Sequence, residues 1–239
     1  MMGKVVILHD LERDEAERLL PKDSTRYSLF AAKPPVQHCV GCFRCWVKTP
    51  GTCVIDDRGA GFVALMATHD EVIFLSRLVF GGLSPDVKAV LDRSIGFALP
   101  FFRRLNAETH HAMRFDKSPD LHYLLYGSGI TEQEKKTAQR LATANALNLG
   151  VGHCSVSFFP SAQEGAEALR DGVSALRDGV PATADDAPAT PGITPATSDD
   201  APMATSATPA TTAGAPAATS TTPVATGVTS TQADAEVPA

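Results

Sequence analysis

The chain has 239 residues, with 21 Lys and Arg against 27 Asp and Glu for a formal net charge of −6. The excess is local: from Asp178 onward there is no Lys or Arg and seven of the 27 acids lie there, which leaves 20 acids against all 21 bases in the rest. A near-neutral body without a basic stripe excludes nucleic acid and anionic membrane surfaces as expected partners, while the absence of any apolar run of spanning length and the short apolar run in MMGKVVILHD predict a cytoplasmic, reducing setting.

In chain order, Lys4–Leu8 (KVVIL) reads as a first strand. DLERDEAERLL follows, where Leu11, Ala16, Leu19 and Leu20 share one face of a helix that Pro21 ends. Arg26–Ala31 fits a second strand. A cysteine-rich loop comes next, then a weak helix after Asp56-Asp57, lowered in propensity by Gly59 and Gly61. Glu71–Ser76 (EVIFLS) is a buried strand by its continuous apolar character. Ser84 and Pro85 then read as N-cap and first-turn proline of a helix through VKAVLDRSIGFAL that Pro100 stops. A fourth strand fits Leu121–Tyr126, a capping box at Thr131 and Glu134 opens a helix running to Asn148, and Val151–Phe159 is a fifth strand. Ser161 and Glu164 cap a last helix, in which ALRDGVS is followed directly by ALRDGVP.

Residues 179–239 are built almost wholly from Ala, Thr, Pro, Ser, Gly and Asp. With so few large apolar side chains they cannot offset chain entropy, so a disordered, partly polyproline-like tail is expected after a single domain over residues 1–178. Strands alternating with helices demand a parallel sheet covered on both faces, because parallel neighbours need right-handed crossovers. The expected fold class is α/β, a three-layer sandwich on a five-stranded parallel sheet of order 2-1-3-4-5. Its ligand belongs beyond the carboxyl ends of the strands, between strands one and three. Three loops meet there: His9–Arg13, Arg77–Ser84 and Gly127–Thr131. Gly81 and Gly82 let backbone approach a flat ligand, and Phe80 offers it a stacking edge.

The densest chemistry is in HCVGCFRCWVKTPGTC. Cys39, Cys42 and Cys45 stand at steps of three, and Cys53 returns after the Pro50-Gly51 turn. One tight loop can turn such thiols inward around a soft metal, and this compact ladder suits an iron–sulfur cluster better than the paired knuckles of zinc sites. Structural zinc and unligated thiols that pack or sense redox state stay open beside it. Cys154, in GHCSVSFF, reads as a small buried side chain. Glu108, His110, His111 and Arg114 cluster in NAETHHAMRF without the spacing of a metal helix, which points to a lid or dimer-contact loop, and His38 is placed to tune the thiol beside it.

CVGCFRCWVKTPGTCVIDD, DEVIFLS and GGLSPDVKAVLDRS together resemble the flavodoxin-like proteins related to NAD(P)H-dependent FMN reductases and iron-sulfur flavoproteins, over roughly residues 3 to 160. The resemblance implies a flavin-dependent oxidoreductase in which a reduced nicotinamide, NAD(P)H, passes a hydride to FMN and the flavin serves a small-molecule or protein electron acceptor. It implies FMN contacts from Ser76, Arg77, Leu78, Val79, Phe80, Gly81 and Gly82, with Gly127 and Ser128 alongside. It also implies a [4Fe-4S] cluster on Cys39, Cys42, Cys45 and Cys53, electron transfer through it, and a homodimer. The Asp92-Arg93 pair matches the family's helical Asp-Arg and reads as a structural ion pair.

Two departures are visible. Where the family carries a Gly, Ser and Thr-rich phosphate loop, this chain has HDLERDEAE, so a phosphate would meet Asp10, Glu12, Asp14 and Glu15 with only Arg13 and the helix dipole opposing them. One unit-charge pair at 4 Å is worth about 4 kcal/mol at an effective dielectric near 20, enough to cancel an ordinary phosphate contact. The family often has proline where Arg77 stands; an arginine there can supply the missing charge or pair with a carboxylate of the first loop. The rival to the enzyme reading is a cofactor-poor binding or redox-sensing module with zinc or free thiols at the cysteines.

Overall fold

The computed structural model describes residues 3–105, 107–170 and 180–181. Apart from Val180 and Pro181, the expected disordered tail, and the duplicated heptad where it extends past Arg170, lie outside the described residues. Five parallel strands form the centre: β1 (Val5–His9), β2 (Tyr27–Ala31), β3 (Glu71–Arg77), then β6 (Asp120–Tyr126) and β7 (Cys154–Phe159), adjacent in the order β2-β1-β3-β6-β7. Counted as parallel strands this is the expected 2-1-3-4-5. A two-residue strand, β8 (Val180–Pro181), adds antiparallel to the β7 edge.

Period-two alternation sends the two faces of each strand into separate cores. On one face Val6, Leu8, Val72, Phe74, Leu121 and Tyr123 pack under α3 (Phe62–Thr68), α4 (Pro85–Asp92) and α5 (Glu132–Asn148). On the other, Val5, Ile7, Ile73, Leu75 and Leu124 pack with Leu19 of α1 (Arg13–Leu19) and with Ala162, Ala166 and Leu169 of α6 (Ala162–Arg170). All five residues of β1 are buried, which is why KVVIL reads as an uninterrupted apolar run. The helix starts follow the side-chain rules. Thr131 accepts from Glu134 N–H while the Glu134 carboxylate accepts from Thr131 N–H, a complete capping box, and Ser84 caps α4 with Pro85 in its first turn.

The segment after α4 departs from the sequence expectation. The helix predicted through Leu99 ends at Asp92; a 3₁₀ stretch, Arg93–Phe97, leads into an antiparallel hairpin of β4 (Ala98–Leu105) and β5 (Glu108–Met113). Tertiary packing overrides helical periodicity here. Arg93 is drawn wholly inside, and Gly96 lies against Gly51 backbone and the Cys45 Cβ, where a Cβ of its own would come within 3.3 Å of Gly51. Pro100, which has no N–H to give a ladder, falls where the hairpin register shifts between Ala98 and Phe102. The NAETHHAMRF cluster is therefore largely a strand rather than a lid loop, and its adjacent histidines face opposite ways. Buried His110 contacts Glu108 and, on α5, Asn148, at 2.9 and 3.0 Å, whereas His111 contacts Leu99 C=O and lies against Trp46 and Phe102. Among the described residues no helix is long and apolar enough to cross a membrane.

Candidate functional site

At the carboxyl end of the sheet the three predicted loops adjoin, and Asp10 joins them. Its carboxylate, 4% exposed, accepts the Arg77 N–H at 3.0 Å and the Tyr126 hydroxyl at 2.8 Å, bridging the ends of β1, β3 and β6. Burial, together with the Asp10 carboxylate, pushes the Tyr126 phenol well above its ordinary range, so it stays a donor. Ser76 is fully buried; its Oγ accepts from Ser84 N–H at 2.9 Å and donates to Arg77 C=O at 3.1 Å, closing the base of the 77–84 loop.

That loop is a tight, hydrogen-bonded turn. Leu78 N–H donates to Tyr126 C=O at 2.8 Å, and Val79 and Gly82 exchange two backbone bonds of 2.9 Å. Phe80 and Gly81 at the tip have φ of +50° and +77°, the pair of left-handed conformations that a hairpin turn requires. Gly81 is fixed by space as well as by φ: a Cβ there would lie 2.7 Å from Thr137 Cβ on α5. The consequence is that Phe80 stands out from the mouth, 92% exposed. Gly127 N–H donates to Phe159 C=O at 3.0 Å, which anchors the third loop, and Ser128 is exposed.

The acids of the first loop are less free than the sequence implies. Asp10 turns inward and Glu12 pairs with Lys33 at 2.8 Å, while Asp14 and Glu15 stand in the first turn of α1. Arg77 does meet a first-loop carboxylate, but through its backbone N–H.

Next to this mouth, the cysteine loop leaves β2 through a cis Lys33–Pro34 bond and folds back with left-handed Gly41, Phe43 and Gly51 around the short helix α2 (Arg44–Val47). Cys39 and Cys42 are exposed, Cys53 is half-buried, and Cys45 is buried. Burial first, and then the thiols of Cys53, Cys39 and Cys42, push the Cys45 thiol up. Yet among the described residues no three of His, Cys, Asp or Glu are grouped as ligands for a metal ion. In this arrangement the thiols do not fit a [4Fe-4S] cage. His38 is exposed beside them, and Cys154 is a buried packing residue whose thiol is pushed up to about 12 by burial.

Two elements fasten the loop. Arg93, with its side chain fully buried, donates to Asp57, to Ile55 C=O at 2.9 Å and to Gln37 C=O at 3.3 Å. On the outer side Trp46 donates its indole N–H to Ala98 C=O at 3.0 Å and stacks on Phe43. His111 and Phe102 extend this into a line of rings from the loop to the hairpin. The bond between Asp10 and Tyr126 is not visible in the sequence, because it spans 116 residues. Arg93 was visible only as half of a helical ion pair with its neighbour; its actual partner is Asp57.

A scan against protein-family models and a search of curated proteins find no match. Among solved structures, the chain is similar to the NAD(P)H:quinone oxidoreductase from Methanothermobacter marburgensis, with a TM-score of 0.50 and 14% identity over 74% of this chain and 99% of that one. It is also similar to azoreductase AzrA (TM-score 0.45, 10% identity, 73% and 95% covered). A third is the FMN-dependent NADH-azoreductase from Bacillus anthracis str. Ames Ancestor in complex with FMN (TM-score 0.46, 8% identity, 74% and 100% covered). The first likeness, joined to the strand order, is sufficient for the architecture: this chain has the flavodoxin-like fold.

Proposed function

We propose that this protein is a flavin-dependent NAD(P)H oxidoreductase whose flavin ring lies over the loops 76–82 and 127–128. The observation that carries the reading is the Asp10 bridge. It ties the ends of β1, β3 and β6 into one rim at the place where open α/β sheets bind ligands, and leaves Phe80 projecting from that rim with its face free for a ring. The name of the neighbour with a TM-score of 0.50, an NAD(P)H:quinone oxidoreductase, supports carrying this chemistry over.

The ring-contacting residues fit a flavin better than the first loop fits its phosphate. Most N–H groups of the 77–82 turn are already bonded, so a flat heterocycle would meet the turn at its exposed Phe80 tip, and across from it Gly129, with φ +72°, has open space around it. At the phosphate end the paired Glu12 and inward Asp10 reduce the repulsion, and Arg13 and Arg58 are the nearby cations. A bound flavin supplies hydride acceptance from the reduced nicotinamide and delivery to an electron acceptor. The chain's own part is positional: Ser76 and Asp10 hold the rim, Gly81 keeps the turn against α5, and Phe80 covers the ring.

The cysteine loop adds no step to this mechanism, since the thiols are not arranged as a cage. Flavin, iron, sulfide and zinc measured on anaerobically purified protein, with NADH and NADPH oxidation followed alongside, test both halves. Stoichiometric flavin and nicotinamide oxidation are expected; protein that neither carries nor takes up flavin defeats the proposal.

A further inference from the structure

Two segments far apart in the sequence meet to form an apolar, basic surface that the flavin reading does not use. Of the eight large apolar side chains exposed among the described residues, six (Val40, Phe43, Val47, Ile95, Phe101 and Phe102) come from the cysteine loop and from the stretch that leads into the hairpin. Exposed apolar area gathered in this way marks a surface that something covers. Its spine is the line of rings from Phe43 through Trp46 and His111 to Phe102, with successive centroids 5.2, 5.0 and 4.9 Å apart. Cations flank it. Exposed Arg44 and Lys48 stand at the two ends of α2, and exposed Arg104, two residues after Phe102, shares its face of β4. None of the three is ion-paired among the described residues. No Asp or Glu occurs in 38–55 or 93–107, and Glu108 just beyond is held by His110. A second copy of this face would set like charges against one another, so the occupant that fits is acidic.

The chain carries such an occupant. Beyond Arg177 it has no Lys or Arg, and residues 182–191, ATADDAPATP, set Asp185 and Asp186 beside Pro188 and Pro191. Polyproline II turns once every three residues, so a PxxP pair returns to one side, the pattern that aromatic-lined surfaces accept. The direction of the chain favours the meeting. β8 runs antiparallel to β7, with Val180 opposite Val156 and then Pro181 opposite Ser155, and so leads toward the segment 149–153. There a Cβ on Gly150 would lie 2.9 Å from Met113 Cγ and 3.1 Å from Arg103 Nη2, both on the hairpin. Ten residues reach up to about 33 Å. A short tether also holds a segment at about millimolar effective concentration, so a contact with a Kd of about 0.1 mM in isolation is mostly filled within one chain. From this complementarity we infer that residues 182–191 dock on the ring line of their own chain, with the prolines on the aromatic rings and Asp185 and Asp186 beside Arg44, Lys48 and Arg104.

Two readouts on the full-length protein test this. A carbodiimide couples a carboxylate to an amine in contact with it, and peptide mapping identifies the pair. The expected product joins Lys48 to Asp185 or Asp186 within one chain, with the Lys88–Asp92 and Lys117–Asp70 ion pairs as internal standards. Phe102→Ser, at a side chain 68% exposed, should lower that product about tenfold against the standards. The second readout is the emission of Trp46, quenched with uncharged acrylamide so that the charge of a variant does not act on the quencher. Asp185→Lys with Asp186→Lys should raise the quenching constant about twofold, and adding Arg44→Glu, Lys48→Glu and Arg104→Glu should restore it, because exchanging the charges rebuilds the attraction. General loosening of the loop would not be repaired in this way. Absence of a Lys48 link to either aspartate, quenching left unchanged by the reversal, or no restoration by the exchange overturns the inference and leaves the face to an acidic partner from outside the chain. A link found only between two chains assigns the face to a second copy and overturns it as well. Neither readout needs flavin, so failure here leaves the flavin proposal standing.

Discussion

Asp10 and Arg93 are both buried charges that bolt loops to the sandwich, yet they are satisfied in opposite ways. Asp10 takes its bonds from neutral donors, a backbone N–H and a phenol, and joins three strand ends that are already ordered by the sheet. Arg93 faces a carboxylate and two carbonyls, and holds down a loop that has almost no regular structure of its own. A charge held by neutral dipoles tunes a rim that would survive without it. One paired with a counter-ion becomes a condition of its loop's shape, because removing either partner strands the other.

Arg93→Met should therefore give the largest effect, a loss of about 3–5 kcal/mol in denaturant unfolding, because it leaves Asp57 uncompensated and frees the 37–57 segment. Faster alkylation of Cys45 and Cys53 under native conditions would mark the loop as the part released. A loss below about 1 kcal/mol would erase the contrast with Asp10.

The next effect comes from His9, beside Asp10. Its folded pKa lies near 4 against 6.5 unfolded, so the unfolded chain binds the proton more tightly. Its contribution is present above about pH 6.5 and is lost as pH falls toward 4, up to about 3 kcal/mol. Urea unfolding at pH 7.5 and 4.5 measures this, and His9→Phe should flatten the difference between the two.

Asp10→Asn keeps the shape and one acceptor, and about 1–2 kcal/mol of stability should be lost. Its sharper signature is expected at the rim, as weaker flavin binding with little change in cysteine accessibility, the reverse of Arg93→Met. Smallest is Thr131→Ala, which removes an exposed cap and costs about 1 kcal/mol with no change in cysteine accessibility.

What the sequence disclosed and what it hid divide along the same line. Signals confined to one segment were readable: the five strands, the Thr131–Glu134 box, Ser84-Pro85 and the opposed faces of His110 and His111. Pairings across the chain were not. Arg93 reads as the continuation of a helix until Asp57, 36 residues earlier, is seen to claim it, and with that the hairpin behind it is lost from view. Asp10 reads as a phosphate repeller because nothing local reveals that its lone pairs are already occupied. At the cysteines, spacing states which sulfurs can converge, while convergence itself depends on the backbone of the whole excursion.

Trp46 is the only tryptophan in the chain, and it sits at the seam where the thiol-bearing loop meets the hairpin, one residue from Cys45. Its intrinsic emission is consequently a label-free reporter of that seam alone. Oxidation, metal loading or docking there should shift or quench the signal, while chemistry confined to the distant edge of the sheet should leave it dark to the spectrometer.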